Sequence, residues 1–433
     1  MNRFAYHMYE MTHLALAPAR ALNDAARLAM RNPMNPWTLT PFGKNLEASS
    51  ELFERLTRRY GKPAFDLNST VIGESVVNVS ENVIWTKPFC RLLHFARDLP
   101  KGAPRQDRLL IVAPMSGHYA TLLRGTVEAF LPHYDVYITD WADARMIPLS
   151  SGTFDLDDYI DYLIEIFELL HKQDPSTPVH SIGVCQPSVP LLAATALMEQ
   201  RGNSACPASI TLMGGPIDTR RSPTEVNLLA QKRGTEWFAR NCCITAPFPY
   251  PGMGRSVYPG FLQLGGFMAM NMDKHVSAHF EMFNHLVEGD GDSAEKHRDF
   301  YDEYLAVMDL DAAFYLQTVE TVFVQHALPN GTMMHRSEPV QLEAIGNTSI
   351  LAVEGENDDI SGVGQTKAAL DLCTNLPSDK KAYHLQKNVG HYGVFNGSKF
   401  RSNIVPKICE FTQRSGTSKS GRQTRNPMGR KSV

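Results

Sequence analysis

The chain has no run of about 18 apolar residues, and its opening segment, MNRFAYHMYEMTHLALAPAR, is broken by Glu10 and by polar side chains. Neither a membrane span nor a secretion signal is expected, and a cytoplasmic location follows. Paired cysteines are missing as well: the seven present are scattered, with no CxxC. That argues against a zinc ribbon or a disulfide framework and predicts free thiols. His275 and His279 lie four apart without an HExxH motif, so no metal site is expected. Gly252 and Gly254 complete no phosphate-binding motif, and the adjacent Cys242 and Cys243 lack metal-ligand spacing; no cofactor is expected. A basic excess is lacking too. The 42 Lys and Arg face 46 Asp and Glu, for a formal net charge of −4, which disfavours nucleic acid as a partner.

What remains is a composition of 43% hydrophobic and 20% charged residues over 433 positions, enough for a large buried core. Residues 1–65 read as helices interrupted by Pro18, Pro33, Pro36 and Pro41. Two extended segments follow, Val71–Val79 and Val83–Phe95, around turn-forming Ser80 and Asn82. From about 105, apolar strands alternate with helices. Leu109–Ala113, Val136–Thr139, Val179–Val184 and Ala208–Met213 are the strands, and runs buried on both faces in this order imply a parallel sheet with right-handed crossovers.

The alternation lapses over 217–345, where Met, Phe, Tyr and Trp are dense, and resumes with Ser349–Val353 and Ala382–Gln386. The fold class expected is α/β, a doubly wound sheet with a mainly helical cap inserted after the sixth strand. The core is divided into 66–216 and 346–413, flanking the cap at 217–345. Residues 414–433 carry Arg414, Lys419, Arg422, Arg425, Arg430 and Lys431 with no acid and no apolar period, so a disordered basic tail is expected there.

The string GxSxG occurs nowhere, yet Gly183-Val184-Cys185-Gln186-Pro187 stands between a strand and a helix. A nucleophile elbow needs this context, with a small residue two before the tip. Cys185 alone also reads as a buried small hydrophobe. Its company shifts the balance, because an acid and a histidine follow in the order the elbow fold imposes. Asp358 lies three residues after Gly355 and is preferred as the acid over Asp359, which also reads as a helix cap. His391, in Asn388-Val389-Gly390-His391-Tyr392-Gly393, is the base; His384, within a strand, is assigned to core or surface. Such a triad generates a thiolate that attacks an ester carbonyl. The oxyanion donors expected are the backbone N–H groups of Gln186 and of Met115, preferred over Ser116, in Pro114-Met115-Ser116-Gly117-His118.

Taken together, GVCQP around Cys185, PMSGHYATLLRGTV from Pro114, VEGENDDISG from Val353 and NVGHYG around His391 resemble the intracellular polyhydroxyalkanoate depolymerases, over nearly the whole chain. The resemblance implies an α/β-hydrolase that hydrolyses amorphous polyhydroxybutyrate in storage granules with a cysteine nucleophile, its triad falling on Cys185, Asp358 and His391. The granule surface and its polymer chain would be the partners, and oligomeric state is left open. Ser116, His118, Trp237 and Phe238 are then candidates for a polymer groove, with Phe248, Tyr250, Tyr258, Phe261 and Phe267 as further apolar candidates or as the cap's own core. Two other readings stay open. One is a synthase-like acyltransferase, against which Pro187 stands where synthases carry Gly; the other is a non-catalytic granule-surface protein.

Overall fold

The protein was analysed as a computed structural model, which describes residues 5–270 and 301–420, apart from 31, 33, 38, 39, 101, 103 and 104. His275, His279 and residues 421–433 lie outside the described residues, as does the side chain of Phe267.

Nine strands form the central sheet: β1 (Ser69–Ile72), β2 (Ser75–Lys87), β3 (Cys90–Arg97), β4 (Arg108–Val112), β5 (Asp135–Trp141), β6 (Val179–Val184), β7 (Ser209–Met213), β8 (Ser349–Gly355) and β9 (Lys381–Gln386). Their spatial order is β1-β2-β3-β5-β4-β6-β7-β8-β9. The first three run antiparallel, and β3 is antiparallel to β5. From β5 to β9 every pairing is parallel. This strand order, with helices crossing between the parallel strands, is that of an α/β-hydrolase sheet. It forms because β4, β6, β7 and β8 are apolar enough to be buried on both faces, which only covering helices permit.

The helices show how. After α1 (Ala5–Met30), α2 (Pro41–Thr57) and α3 (Arg124–Phe130) comes α4 (Leu156–Gln173). Asp155 and Asp158 close a capping box at its start, and Tyr159, Ile160, Leu163, Phe167 and Leu170 make its buried stripe. By contrast α5 (Ser188–Gln200) is buried from Ser188 to Met198, because it follows the elbow into the centre of the molecule. It has no polar face to show.

The two antiparallel segments divide differently from the expectation. Gly73, at φ +61°, turns β1 into β2, and β2 passes straight through Ser80 and Asn82. Most of β2 is exposed, so polar residues are tolerated within it and do not mark a turn. A bulge between Val83 and Trp85 absorbs the irregularity. Since β1 adds an edge strand ahead of those foreseen, the cap follows β7.

The cap contains α6 (Glu225–Cys242), α7 (Gly260–Met270) and α8 (Ala312–Thr318), with a small antiparallel sheet of Ile244–Thr245, Ser256–Tyr258 and Leu310–Asp311. Arg255 fastens it to the core. The guanidinium donates to the carbonyls of Ile147, Pro148 and Gly152 and to Asp311 at 2.7 Å, with both charged side chains almost wholly buried. After α9 (Ala368–Leu372), the closing helix α10 (Val405–Ser420) continues into the segment expected to be without structure. Thr412 bonds Tyr134 Oη at 2.5 Å, the Ser415 hydroxyl donates to Phe411 O, and Arg414 pairs with Glu410 one turn back. These ties extend the helix past residue 413.

Candidate active site

Cys185 sits at the tip of the turn from β6 into α5 with φ +67°. A non-glycine residue in this left-handed region costs about 1–3 kcal/mol and persists only where its surroundings fix it. They do so here. The Cys185 N–H donates to Met213 O at 2.7 Å, at the end of β7, and its carbonyl accepts from Ser188 N at 3.0 Å. Two glycines leave room for the turn. A Cβ on Gly183 would lie 3.0 Å from Leu191 and 3.3 Å from the Ser188 nitrogen, and one on Gly215 would lie 2.1 Å from Ser188 Oγ. Pro187 takes φ −58° and ψ −15°, and lacking an N–H costs nothing in a helix's first turn.

The residue expected as the acid lies in the loop after β8. Asp358 Oδ1 accepts from the backbone nitrogens of Ile360 (2.9 Å) and Ser361 (2.8 Å), while Oδ2 accepts from His391 Nδ1 at 2.8 Å. Asp359, by contrast, is exposed. Beneath this loop the buried Glu354 carboxylate accepts from Gly364, Thr366 and Lys367 backbone N–H groups and from Tyr383 Oη, all between 2.8 and 2.9 Å. It anchors the chain that carries Asp358.

His391 opens a short helical turn after Gly390. Because its Nδ1–H is committed to Asp358, Nε2 is the atom left for its hydrogen bond to Cys185. Burial of the ring opposes its charging. The neighbouring Cys185 and Asp358, through charge and hydrogen bonds, outweigh that burial and hold His391 well above the ordinary histidine range. The imidazolium is the form of His391 that this arrangement favours. His384 lies apart on β9, with Nε2 3.1 Å from Gln386 Oε1.

Opposite the elbow, the loop after β4 is held rigidly. Trp141 Nε1 and Tyr159 Oη donate to the Ala113 carbonyl, and Ala113 N donates to Thr139 Oγ1. One residue past Pro114, Met115 N–H points at Gln186 and donates to its side-chain Oε1 at 3.3 Å. The backbone N–H of Gln186 itself has no acceptor among the described residues. The two backbone N–H groups expected to receive an oxyanion thus meet at Gln186, that of Met115 being taken by its side chain.

Ser116 is half-buried, whereas His118 is buried and donates Nε2–H to Tyr304 O at 3.1 Å. Burial pushes His118 down to about 4, so it is neutral and serves to tie the loop to the cap; Met308 N donating to Gly117 O at 2.7 Å makes a second tie. The cap aromatics divide. Phe238 is in a separate cap cluster with Ala230 and Val319, Trp237 packs edge-on against it, and Tyr258 stacks on Tyr315 at 4.0 Å. Tyr250 and Phe261 contact Tyr6 of α1 instead, and Phe248 is exposed. Among the described residues no group of three or more His, Cys, Asp or Glu is arranged to hold a metal ion.

Two features escape a reading of local patterns. Tyr392, next to His391, is hydrogen-bonded to Tyr304, and the rings of His391, Tyr392, Tyr304 and Tyr301 form one aromatic wall with centroid spacings of 5.8 to 6.1 Å. Asp309, buried, accepts from Tyr6 Oη at 2.7 Å and from Gly260 N, and so joins α1 to the cap segment that braces the loop after β4. Tyr6 and Tyr304 are distant in sequence from every motif. Only Tyr392, adjacent to His391, could have been singled out.

Residues 214–416 match the family model described as PHB de-polymerase C-terminus. Among curated proteins no sequence matches. Solved structures similar to the chain include a soluble variant of monoglyceride lipase from Saccharomyces cerevisiae, 10% identical over 80% of this chain and 97% of that one, with a TM-score of 0.46. A thermophilic esterase from Thermogutta terrifontis is 12% identical over 81% and 98%, TM-score 0.39, and a lipase from Acinetobacter baumannii is 14% identical over 79% and 93%, TM-score 0.40. Residues 214–416, which begin directly after β7, are therefore similar to polyhydroxybutyrate depolymerases, and the sheet around them has the strand order of an α/β-hydrolase.

Proposed function

We propose that the protein hydrolyses ester bonds of amorphous polyhydroxybutyrate and related polyhydroxyalkanoates through a Cys185-His391-Asp358 triad, acting in the cytoplasm at the surface of storage granules. The observation that carries this reading is the placement of Cys185 at a strained elbow tip, hydrogen-bonded to a histidine that Asp358 holds from behind.

The steps follow from these groups. The Cys185 thiolate adds to the ester carbonyl carbon, and the oxyanion is received by the Gln186 and Met115 N–H groups. As the tetrahedral intermediate collapses, the C–O bond breaks and the leaving alkoxide takes the proton of the His391 imidazolium. A thioester on Cys185 remains. Water then attacks it, giving its proton to His391 Nε2; the C–S bond breaks, the acid is released and the proton balance of the ion pair is restored. Asp358 keeps the Nδ1–H tautomer throughout.

The test is acid release from amorphous polyhydroxybutyrate granules by the wild type, by Cys185→Ala and by iodoacetamide-treated wild type. Release by the wild type alone is expected. Equal release by Cys185→Ala would refute the nucleophile. A wild type inert on granules that frees coenzyme A from hydroxybutyryl-coenzyme A would point to a synthase-like acyltransferase, and one inert on both to a granule-surface protein.

A further inference from the structure

The carboxamide of Gln186 is placed unusually for a residue whose expected contribution is its backbone. Its Oε1 accepts from Met115 N–H at 3.3 Å, which fixes the orientation of the amide plane. The Nε2 at the other corner is buried and has no hydrogen-bond partner among the described residues. An unpaired buried donor is destabilising, and in a native site such a group calls for an occupant. Since Oε1 rests on Met115 N–H and the chain continues from the Gln186 N–H, the carboxamide that carries Nε2 lies beside both groups.

We propose that Gln186 Nε2 is a specificity determinant that donates to an ester carbonyl of the polymer repeat adjoining the scissile bond. This rests on the polyester reading above and deepens it. Away from its terminal hydroxyl, a poly(3-hydroxyalkanoate) chain offers only acceptors: an ester carbonyl and an ester oxygen in each repeat. A site that recognises such a chain by polar contacts must therefore keep donors unpaired until substrate arrives. Gln186 does this with one end of its amide, while in the free enzyme the other end occupies Met115 N–H, which the oxyanion takes over during the reaction. A single ester has no second carbonyl to accept the bond, so the contact rewards oligomers over monomeric esters.

The experiment compares kcat and KM for a linear 3-hydroxybutyrate trimer and for ethyl butyrate in the wild type, Gln186→Glu and Gln186→Met, with thermal melting as the folding control. Gln186→Glu keeps an acceptor for Met115 N–H and loses the donor; Gln186→Met loses both. The wild type's preference for the trimer, read as the ratio of kcat/KM values, is expected to fall about tenfold in both variants, mainly through a higher KM for the trimer. If both substrates lose activity equally and the ratio is unchanged, the side chain only supports the loop and the proposal is wrong. A wild type that cleaves ethyl butyrate but not the trimer would instead overturn the polyester reading itself.

Discussion

Asp358 and His391 meet at 2.8 Å, Oδ2 to Nδ1, although they come from loops after different strands and lie 33 residues apart. The contact is possible because β8 and β9 are parallel neighbours, paired in register from Ile350 opposite Lys381 to Gly355 opposite Gln386. Both loops therefore leave the sheet at the same edge. Asn357 N donating to Val389 O at 2.9 Å sews them together one residue from Asp358.

Replacing Asp358 by Asn is expected to lower ester hydrolysis by roughly 10³- to 10⁴-fold with little effect on substrate binding, because the tautomer and the imidazolium both lose their support. Steady-state kinetics with the trimer would check this. A loss below tenfold would remove Asp358 from the triad.

The raised His391 affects both activity and stability with pH. Its folded-state proton affinity lies above the unfolded value of about 6.5, so the stability it contributes is fully present below that pH and declines as pH rises through its raised folded value. In Asp358→Asn one of the raising influences is gone, and the imidazolium should lose its proton at lower pH. The alkaline limb of iodoacetamide alkylation of Cys185 is therefore expected to move to lower pH in the variant; an unmoved limb would contradict the electrostatic account.

Gly215→Ala is expected to disable the elbow, since the added methyl would collide with Ser188, whose short side chain sits at a helix start and cannot swing away. Overpacking of this kind costs about 1–3 kcal/mol. Adding Ser188→Gly should restore much of the lost stability, measured by denaturant unfolding. Additive losses in the double variant would show that the crowding lies elsewhere.

Breaking the Arg255–Asp311 pair by Asp311→Asn or Arg255→Met should destabilise the protein by about 3–5 kcal/mol, because the remaining group stays buried without its counter-charge. The melting temperature reads this directly. An effect within the range of surface substitutions would mean that water reaches the pair.

Much of the architecture was legible because it depends on local signals. Apolar runs such as Leu109–Val112 and Ile210–Met213 require burial on both faces, and the Gly183–Pro187 string requires a strand on one side and a helix on the other. The antiparallel edge was less so. In β2 half-exposed polar residues carry no turn information, and only Gly73 marks the reversal. At the site, the order of Cys185, Asp358 and His391 can be read along the chain, but the reach of Gln186 to Met115 across 71 residues cannot. Nor can the Tyr304–Tyr392 wall or the Tyr6–Asp309 link, which depend on how the cap and α1 settle over the sheet. Distance along the chain hides them.

The most direct test of the central claim is intact-protein and peptide mass spectrometry of the wild type quenched in acid during turnover of the 3-hydroxybutyrate trimer. A hydroxyacyl adduct on the peptide containing Cys185, removed by neutral hydroxylamine as a thioester is, is the predicted result. Turnover accompanied by an adduct on any other residue, or by full activity after Cys185 has been alkylated, would contradict the account.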